Sequence, residues 1–361
     1  MSLTRFLLAW RTIPLRDREV IDALVDPRHA APSPELAQAL QTWRGSYYWS
    51  DEPDGRHLVL THPAAPRPRE RWALHSLLFA ITLFTTTLAG AVIVGAIDPR
   101  LLLEPSVWIG YWSQGLTFSL PLLGILMCHE LGHYVTARRY HLDVSPPYFI
   151  PGPPPPFGIG TLGAFIRLRT ILTDRRQLLD VGAAGPFAGF LVALPLLWIG
   201  LALSRPVTEF GAHGMGAWVG QEQIWQFGDS IITYVVRRLA FGTSPAVALH
   251  PTAIAGWFGM FVTALNLMPM AQLDGGHILY AAAPGRHRWI ARGFWVSLMV
   301  LGWFSPNWLV WAVLVLALSR GSLAHPPVLD AYRSLPRSRR WVAWASLALF
   351  LMTFAPVPFS P

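Results

Sequence analysis

The hydrophobic positions of this chain gather into long runs separated by shorter polar segments. Most of the runs approach the ~20 consecutive apolar residues that a helix needs to cross the core of a bilayer. They cover residues 73–97, 115–140, 178–203, 251–268, 289–304, 307–318 and 341–355. Because the run at 307–318 is short, the pattern predicts an all-α polytopic membrane protein with six or seven transmembrane helices.

Composition supports this class. Of the 361 residues, 53% are hydrophobic and 13% are charged, and the mean hydropathy is +0.39, which lies far from the balance of a soluble globular domain. The formal net charge is +8, but the basic residues are all arginines and are not interleaved with aromatics, so no nucleic-acid partner is expected. The single cysteine, Cys128, excludes an intramolecular disulfide framework.

Arginines cluster at one end of most predicted spans. An excess of basic residues marks the cytoplasmic side of a membrane protein. If the spans alternate in direction from a cytoplasmic N-terminus, that side receives Arg67, Arg69, Arg71, Arg138, Arg139, Arg167, Arg169, Arg175, Arg176, Arg286, Arg288, Arg292, Arg320, Arg333, Arg337, Arg339 and Arg340. We therefore expect a bacterial inner membrane as the location, with an organelle as the alternative.

Three regions are expected along the chain. Residues 1–71 are rich in charge and proline and contain the alternating piece RHLVLT at 56–61, so they predict a small soluble cytoplasmic domain or a partly ordered arm. Residues 72–283 carry the polar motifs and form the predicted core. Residues 284–361 are the predicted C-terminal transmembrane helices. Nothing in residues 1–71 identifies a ligand, and a scaffold role for them is left open.

The stretch GILMCHELGHYVTARRY, residues 124–140, places costly polar groups inside a predicted span. His129 and His133 project from one helix face because residues four apart lie one turn apart. Glu130 beside them cannot easily be a third ligand, but it can take a proton from a water. If Arg138 reaches the headgroups, nine residues at ~1.5 Å each put His129 about 14 Å inside the membrane.

A metal site needs more than two histidines. The alternative is a pair of histidines that hydrogen-bond inside a helix bundle, although ionisable groups at this depth usually serve function. A third ligand is available in LNLMPMAQLDGGH, residues 265–277, where Pro269, Gly275 and Gly276 break the fourth apolar run around Asp274. Two histidines, a carboxylate and one open position describe a catalytic zinc site. Alternatively, Asp274 only caps a helix or lies in a loop.

These motifs together resemble the site-2 protease family of intramembrane zinc metalloproteases, particularly its bacterial and plastid branch. The resemblance is carried by HELGH and NLMPMAQLDGGH, and further by GTLGAFIRLR at 160–169, GAAGPFAGF at 182–190 and HPTAIAGWFG at 250–259. It covers about residues 73–283. The N-terminal 71 residues and the last two or three predicted spans are only loosely covered.

The resemblance implies one zinc ion per chain, bound by His129, His133 and Asp274, with Glu130 as the catalytic base. No departure from this ligand pattern is visible. Asn266 resembles an asparagine of the family motif that binds the substrate backbone or the developing charge; alternatively, it satisfies carbonyls freed by the proline. His277 and His250 are candidates for donors behind the ligands, or for ordinary buried histidines.

Residues 160–170 alternate at strand period and predict a short membrane-associated β element between the second and third spans. Gly160 and Gly163 would allow another chain to approach closely, and Phe165 lies between them and the arginines. An exposed edge here could bind an extended substrate by strand addition. The alternative is an ordinary cytoplasmic hairpin.

The sequence thus predicts an intramembrane zinc endopeptidase that hydrolyses a peptide bond within or near a transmembrane segment of a membrane-protein substrate. The expected partners are that substrate and the lipid bilayer. The alternative is a membrane protein that binds or transports a metal without hydrolysis. Transport would require ligand-bearing stations along a path, whereas the candidate ligands here cluster at one depth.

Overall fold

The computed structural model describes residues 3–15, 18–31, 33–43, 45–63, 70–101, 104–155, 157–170, 172, 174–207, 214–219, 223–242, 246–325, 328 and 335–360. Arg67, Arg69 and Arg333 lie outside these residues. The chain divides into two compact units. The first comprises Met1–Glu70, Arg138–Ser145 and Leu168–Ile171, and the second comprises the rest.

The described part of the first unit is built on an antiparallel sheet of four strands with one α-helix. The strands are β1 (Leu7–Pro14), β2 (Arg18–Val25), β3 (Tyr47–Glu52) and β4 (Gly55–Pro63), in the order β1-β2-β4-β3, and the helix is α1 (Pro34–Gln41). The Ser33 side chain accepts a hydrogen bond from the Leu36 backbone and so caps α1. Leu36 and Leu40 of α1 pack with Leu58 and Leu60 of β4 in one buried cluster, which holds the helix on the sheet.

The second unit contains ten α-helices among its described residues. They are α2 (Trp72–Ile93), α3 (Pro105–Tyr111), α4 (Leu116–Arg139), α5 (Arg175–Ala202), α6 (Ile231–Phe241), α7 (Pro251–Asn266), α8 (Asp274–Ala282), α9 (His287–Leu301), α10 (Asn307–Leu318) and α11 (Arg337–Thr353). Small residues let these backbones approach. A Cβ on Gly115, just before α4, would overlap the Thr87 carbonyl of α2, and a Cβ on Gly200 of α5 would overlap the Ala253 backbone of α7.

Two sheets accompany these helices in the part of the unit that the structure describes. Strands β5 (Tyr148–Pro151) and β6 (Thr161–Phe165) pair antiparallel. The strands β7 (Arg205–Val207), β8 (Gly214–Val219), β9 (Gln223–Phe227), β10 (Ala246–Ala248) and β11 (Phe359–Ser360) form a second sheet in the order β11-β9-β8-β10-β7. Aromatic rings of Phe227, Phe359 and buried Trp257 pack together, so that this sheet packs against α7.

Among the described residues, three helices are long and apolar enough to cross a bilayer: Trp72–Ile93, Trp112–Arg139 and Arg175–Ala202, with 22, 28 and 28 residues. The second of these includes a short 3₁₀ turn before α4. Together with the composition, these helices make the chain a membrane protein.

The predicted all-α fold with six or seven spans is therefore wrong. The apolar run at 251–268 yields a helix of only 16 residues because the chain turns after Asn266. The runs at 289–304, 307–318 and 341–355 yield α9, α10 and α11, which have 15, 12 and 17 residues and fall short of the ~20 that span a bilayer. The three sheets among the described residues also place the fold outside the all-α class.

The predicted β element at 160–170 corresponds to β6, which ends at Phe165. Beyond it, Leu168 forms an isolated antiparallel bridge with Val144 in the first unit. The hairpin of β5 and β6 is fixed beneath α2, because the Thr85 hydroxyl of α2 donates to the Gly160 carbonyl at 2.6 Å.

A histidine between two carboxylates lies in the first unit. His57 contacts the Asp22 carboxylate through Nδ1 at 2.7 Å and the Asp54 carboxylate through Nε2 at 3.1 Å. Burial alone would lower the pKa of His57, but the hydrogen bond and the charge of Asp22, supported by Asp54, outweigh it and raise that pKa.

The first unit should therefore lose stability as the pH rises. The pKa of His57 is higher in the folded chain than in the unfolded chain. Its contribution to the free energy of unfolding is therefore complete when the pH is below the ordinary pKa of ~6.5, and it disappears as the pH rises through the raised pKa. Hydrogen exchange of β2 and β4 amides in the full-length protein, corrected for intrinsic rates, measures this loss. Asp22→Asn should flatten the pH dependence of exchange. Asp51 is an exposed carboxylate on β3, and Asp51→Asn should not change that pH dependence. An unchanged dependence in Asp22→Asn would contradict the assignment.

Candidate metal centre

Helix α4 carries the two histidines and the glutamate of the first motif. His129, Glu130 and His133 are all buried. The two imidazole rings lie one turn apart with their centroids separated by 4.8 Å, and their Nε2 atoms lie 3.1 Å apart. Because residues four apart lie on the same face of a helix, both rings turn their Nε2 atoms toward one point.

Asp274 reaches this point from a fold-back of the chain. Helix α7 ends at Asn266, and α8 begins at Asp274 itself. Between them Ala271 adopts a left-handed conformation with φ 52°, which costs roughly 1–2 kcal/mol for a residue with a Cβ. A Cβ on Gly275 would overlap the Leu267 carbonyl, and one on Gly276 would overlap that of Ala271. Glycine at both positions therefore permits the reversal.

The three candidate ligand atoms converge. Asp274 Oδ2 lies 3.4 Å from His129 Nε2 and 3.3 Å from His133 Nε2. Four ligands placed tetrahedrally at ~2.0–2.1 Å from zinc lie about 3.3 Å from one another. The observed separations therefore fit a shared zinc ion. Among the described residues this trio forms the one group with metal-ligand spacing.

The hydrogen bonds around His133 select the tautomer that a ligand needs. His133 Nδ1 lies 2.7 Å from the Val181 carbonyl on α5. Because a carbonyl only accepts, Nδ1 carries the proton, and Nε2 keeps its lone pair toward Asp274 and His129. A partner of this kind fixes the ring and raises its basicity as a ligand.

Three glycines on α5 make room for the centre. A Cβ on Gly185 would overlap Nε2 of His133. A Cβ on Gly189 would crowd the ring of His129 at 3.3 Å, and one on Gly182 would crowd Cβ of His277 at 3.1 Å. The motif GAAGPFAGF contains these three glycines, but the sequence alone indicated no role for them. Their spacing of three and four residues on one helix face is the signal that could have found them.

Glu130 faces the hairpin side of the site. Its carboxylate accepts a hydrogen bond from the backbone amide of Ile166, directly after β6. The side chain is therefore buried but held, and the hairpin of β5 and β6 ends beside it. This places the predicted β element next to the candidate base.

The structure brings Asn266 to the centre and keeps His250 away from it. Asn266 Nδ2 lies 3.2 Å from Nε2 of His129. His250 precedes the other end of α7, where its Nδ1 accepts the Thr252 amide as an N-cap. The sixteen residues of α7 span ~24 Å at ~1.5 Å each.

The remaining predicted residues lie in the hairpin. Gly160 has φ 84°, and a Cβ there would overlap the Thr85 carbonyl of α2, so its glycine serves the packing against α2. Gly163 has φ 107° and open space around it. Phe165 is half exposed and stacks on Tyr148 with centroids 5.3 Å apart.

A histidine network lies behind Asp274. It begins at His277, which the sequence offered as a candidate donor, and continues to His325 and His287, which the sequence did not indicate. His277, one turn after Asp274, contacts His325 Nε2 through its Nδ1 at 2.7 Å. His325 in turn donates its backbone amide to Nε2 of His287 at 2.7 Å and stacks on Tyr280. No local spacing in the sequence links these residues.

Gly185→Ala should prevent the centre from forming. The added methyl group would push the His133 ring away from Asp274, so the protein should lose at least about tenfold in zinc affinity, as when a ligand loses its orientation. Zinc per chain after dialysis against a competing chelator, measured by plasma mass spectrometry, tests this. Gly124→Ala is the matched control because nothing lies within 4 Å of a Cβ there. Full zinc retention in Gly185→Ala would contradict this packing.

Comparisons with known proteins agree with the motifs. The sequence model of peptidase family M50 matches residues 117–300. The probable zinc metalloprotease EGY1, chloroplastic, of Arabidopsis thaliana is 29% identical over 325 residues, which cover 83% of this chain and 56% of the relative. The corresponding EGY1 of Oryza sativa subsp. japonica is 28% identical over 321 residues, covering 83% and 53%.

A second Arabidopsis relative, the probable zinc metalloprotease EGY2, chloroplastic, is 30% identical over 252 residues, covering 68% of this chain and 42% of the relative. The chain thus spans about half the length of these curated relatives. No solved structure gives a significant match. Because the family model covers half of the chain, this protein belongs to peptidase family M50, which confirms the resemblance to the site-2 proteases.

Proposed function

We propose that this chain is an intramembrane zinc endopeptidase that hydrolyses a peptide bond within or near a transmembrane segment of its substrate. The observation that carries the proposal is the convergence of Asp274 with His129 and His133 beside the buried carboxylate of Glu130. The names of the relatives, probable zinc metalloproteases, support the same activity.

The metal would be held by His129, His133 and Asp274. Zinc bound to two neutral imidazoles and one carboxylate supplies a Lewis acid and lowers the pKa of a water toward ~7. The tautomer set by Val181 leaves His133 ready to act as such a ligand, and the glycine face of α5 keeps the space beside it open.

Glu130 would perform the proton transfers. Its carboxylate accepts a proton from the attacking water, whose oxygen bonds to the peptide carbonyl carbon. The same carboxyl group then gives the proton to the nitrogen of the departing amine as the C–N bond breaks, so one water is consumed and no acyl-enzyme forms. The amide of Asn266, beside His129, would donate to the substrate carbonyl; its alternative role is to satisfy carbonyls freed at the end of α7.

The substrate would bind in extended form along the hairpin. A peptide bond inside a helix is shielded by its own hydrogen bonds, so cleavage requires the helix to unwind. Within the described residues the sheet of β5 and β6 has two strands, Leu162 and Phe165 expose their side chains, and the hairpin ends at the Ile166 amide bound to Glu130. Strand addition here would bring a scissile bond next to the base. An ordinary hairpin without this role is the alternative.

The location proposed from sequence needs one change. The relatives are named chloroplastic, which conflicts with the expected bacterial inner membrane and favours the organelle that was its alternative. The arginine-rich segments still support a cytoplasmic side, or its stromal equivalent in a plastid, for residues 1–71. We also propose the division expected from the sequence, with an N-terminal domain that ends at residue 71 and a metalloprotease core that ends at residue 283.

Glu130→Gln should abolish cleavage while the metal stays bound. Glutamine at this position keeps the shape of the side chain but accepts no proton, so the rate should fall by at least ~10²-fold, the usual contribution of a general base. The purified protein in lipid nanodiscs is mixed with single-span test peptides. Mass spectrometry then measures the cleavage products, and plasma mass spectrometry measures the zinc bound per chain. Substrates trapped by the variant can be identified in the same way.

The matched control is Glu104→Gln, an exposed glutamate before α3, which should cleave like the wild type. Retained cleavage in Glu130→Gln would remove the peptidase mechanism. Metal that crosses the bilayer of sealed lipid vesicles equally well with both proteins, without products, would instead support the transport alternative.

A further inference from the structure

The segment Gly321–His325, here called the return segment, lies against the fold-back that carries Asp274. It follows α10, where Arg320 and Gly321 adopt left-handed conformations with φ 53° and 80° and turn the chain. The carbonyl of Leu323 then accepts a hydrogen bond from the Ala271 amide at 3.0 Å. The return segment therefore touches the tightest point of the fold-back.

This contact stabilises the strained residue of the fold-back. Ala271 is buried, has φ 52° and belongs to no helix, so its amide cannot be satisfied by a regular ladder. A buried amide without a partner is costly. The Leu323 carbonyl supplies that partner from a segment far along the chain. Ala271, the residue that it stabilises, lies three residues before Asp274.

A second contact holds α8 itself. His325 Nε2 lies 2.7 Å from His277 Nδ1, and His277 follows Asp274 by one turn on α8. One N–H···N hydrogen bond joins the two rings at this distance and fixes the rotation of both. Because a Cβ on Gly182 of α5 would lie 3.1 Å from Cβ of His277 and 3.4 Å from the Asp274 carbonyl, α8 is held between α5 and the return segment.

His325 is itself buried and held by two further contacts. Its backbone amide donates to Nε2 of His287 at 2.7 Å, its ring lies over Tyr280 with centroids 4.7 Å apart and an interplanar angle of 28°, and the residue is only 8% exposed. A side chain anchored in this way can determine the position of its partner. Residue 325 also lies outside the region that the family model matches, 117–300.

We propose that the return segment is a brace for the metal centre and that His325 is a positioning residue, which acts through His277 to hold the Asp274 carboxylate at the histidine pair. The proposal rests on the proposed zinc centre and adds to it a residue that touches neither metal nor substrate. Without the brace, α8 would turn or fray at its first residue, and Asp274 is that residue.

Two variants separate hydrogen bonding from ring packing. His325→Phe keeps an aromatic ring over Tyr280 but removes the nitrogen that meets His277. His325→Gln restores a side-chain group able to hydrogen-bond His277. Ser322→Ala is the matched control, since Ser322 is exposed and its hydroxyl reaches only the Ala324 carbonyl at 3.4 Å.

The measurements use the full-length protein in lipid nanodiscs. The rate at which zinc is lost to excess EDTA should rise about tenfold in His325→Phe, at the lower end of the effect of residues that support a ligand. It should rise less in His325→Gln and not at all in Ser322→Ala. Hydrogen exchange of residues 267–277, recorded with zinc and after its removal, should quicken in the same order, while melting temperatures report the global fold.

The outcomes distinguish the brace from the proposed function. Faster zinc loss and faster local exchange in His325→Phe, with partial recovery in His325→Gln, support the brace. Zinc loss and exchange within twofold of the wild type in His325→Phe overturn it. If His325→Phe does not fold, His325→Gln decides by the same two criteria. If the wild type holds no zinc, the proposed function fails, and exchange in the metal-free protein alone decides on the brace.

Discussion

The structure depends on the need to partner three polar side chains, two buried and one partly buried, from two separate parts of the chain. An imidazole or carboxylate removed from water without a partner is costly, and His129, His133 and Asp274 are placed so that each meets the other two. The elements around them follow from this meeting. Helix α5 must approach through Gly185 and Gly189, and α7 must end early so that α8 can begin at Asp274.

The residues of the centre could be predicted because their chemistry conflicts with their surroundings. His129 and His133 stand at helical spacing in an apolar run, and the demand for a third ligand pointed to Asp274, where proline and two glycines interrupt another run. Both signals are local in sequence. The convergence itself is long-range, and it entered the prediction as a requirement of metal chemistry rather than as a result of spacing.

The number of spans and the sheets could not be predicted in the same way. An apolar run shows which residues avoid water, but it does not show where the helix within it ends, and the turn after Asn266 cuts one run at 16 helical residues. Strands such as β7 and β10 have three residues each, too few for any periodic signal. His325 contacts His277 across 48 positions with no motif around it, so only the folded chain reveals the pair.

The centre is consequently held from two sides that differ in kind. On the side of α5, the constraint is the absence of side chains, since glycine lets a backbone lie where a methyl group would displace a ligand. On the side of the return segment, the constraint is a set of hydrogen bonds to Ala271 and His277. The first fixes how closely the ligands approach, and the second fixes how α8 is turned. Because the second side lies beyond residue 300, the region shared with the family contains the candidate ligands but only part of what positions them.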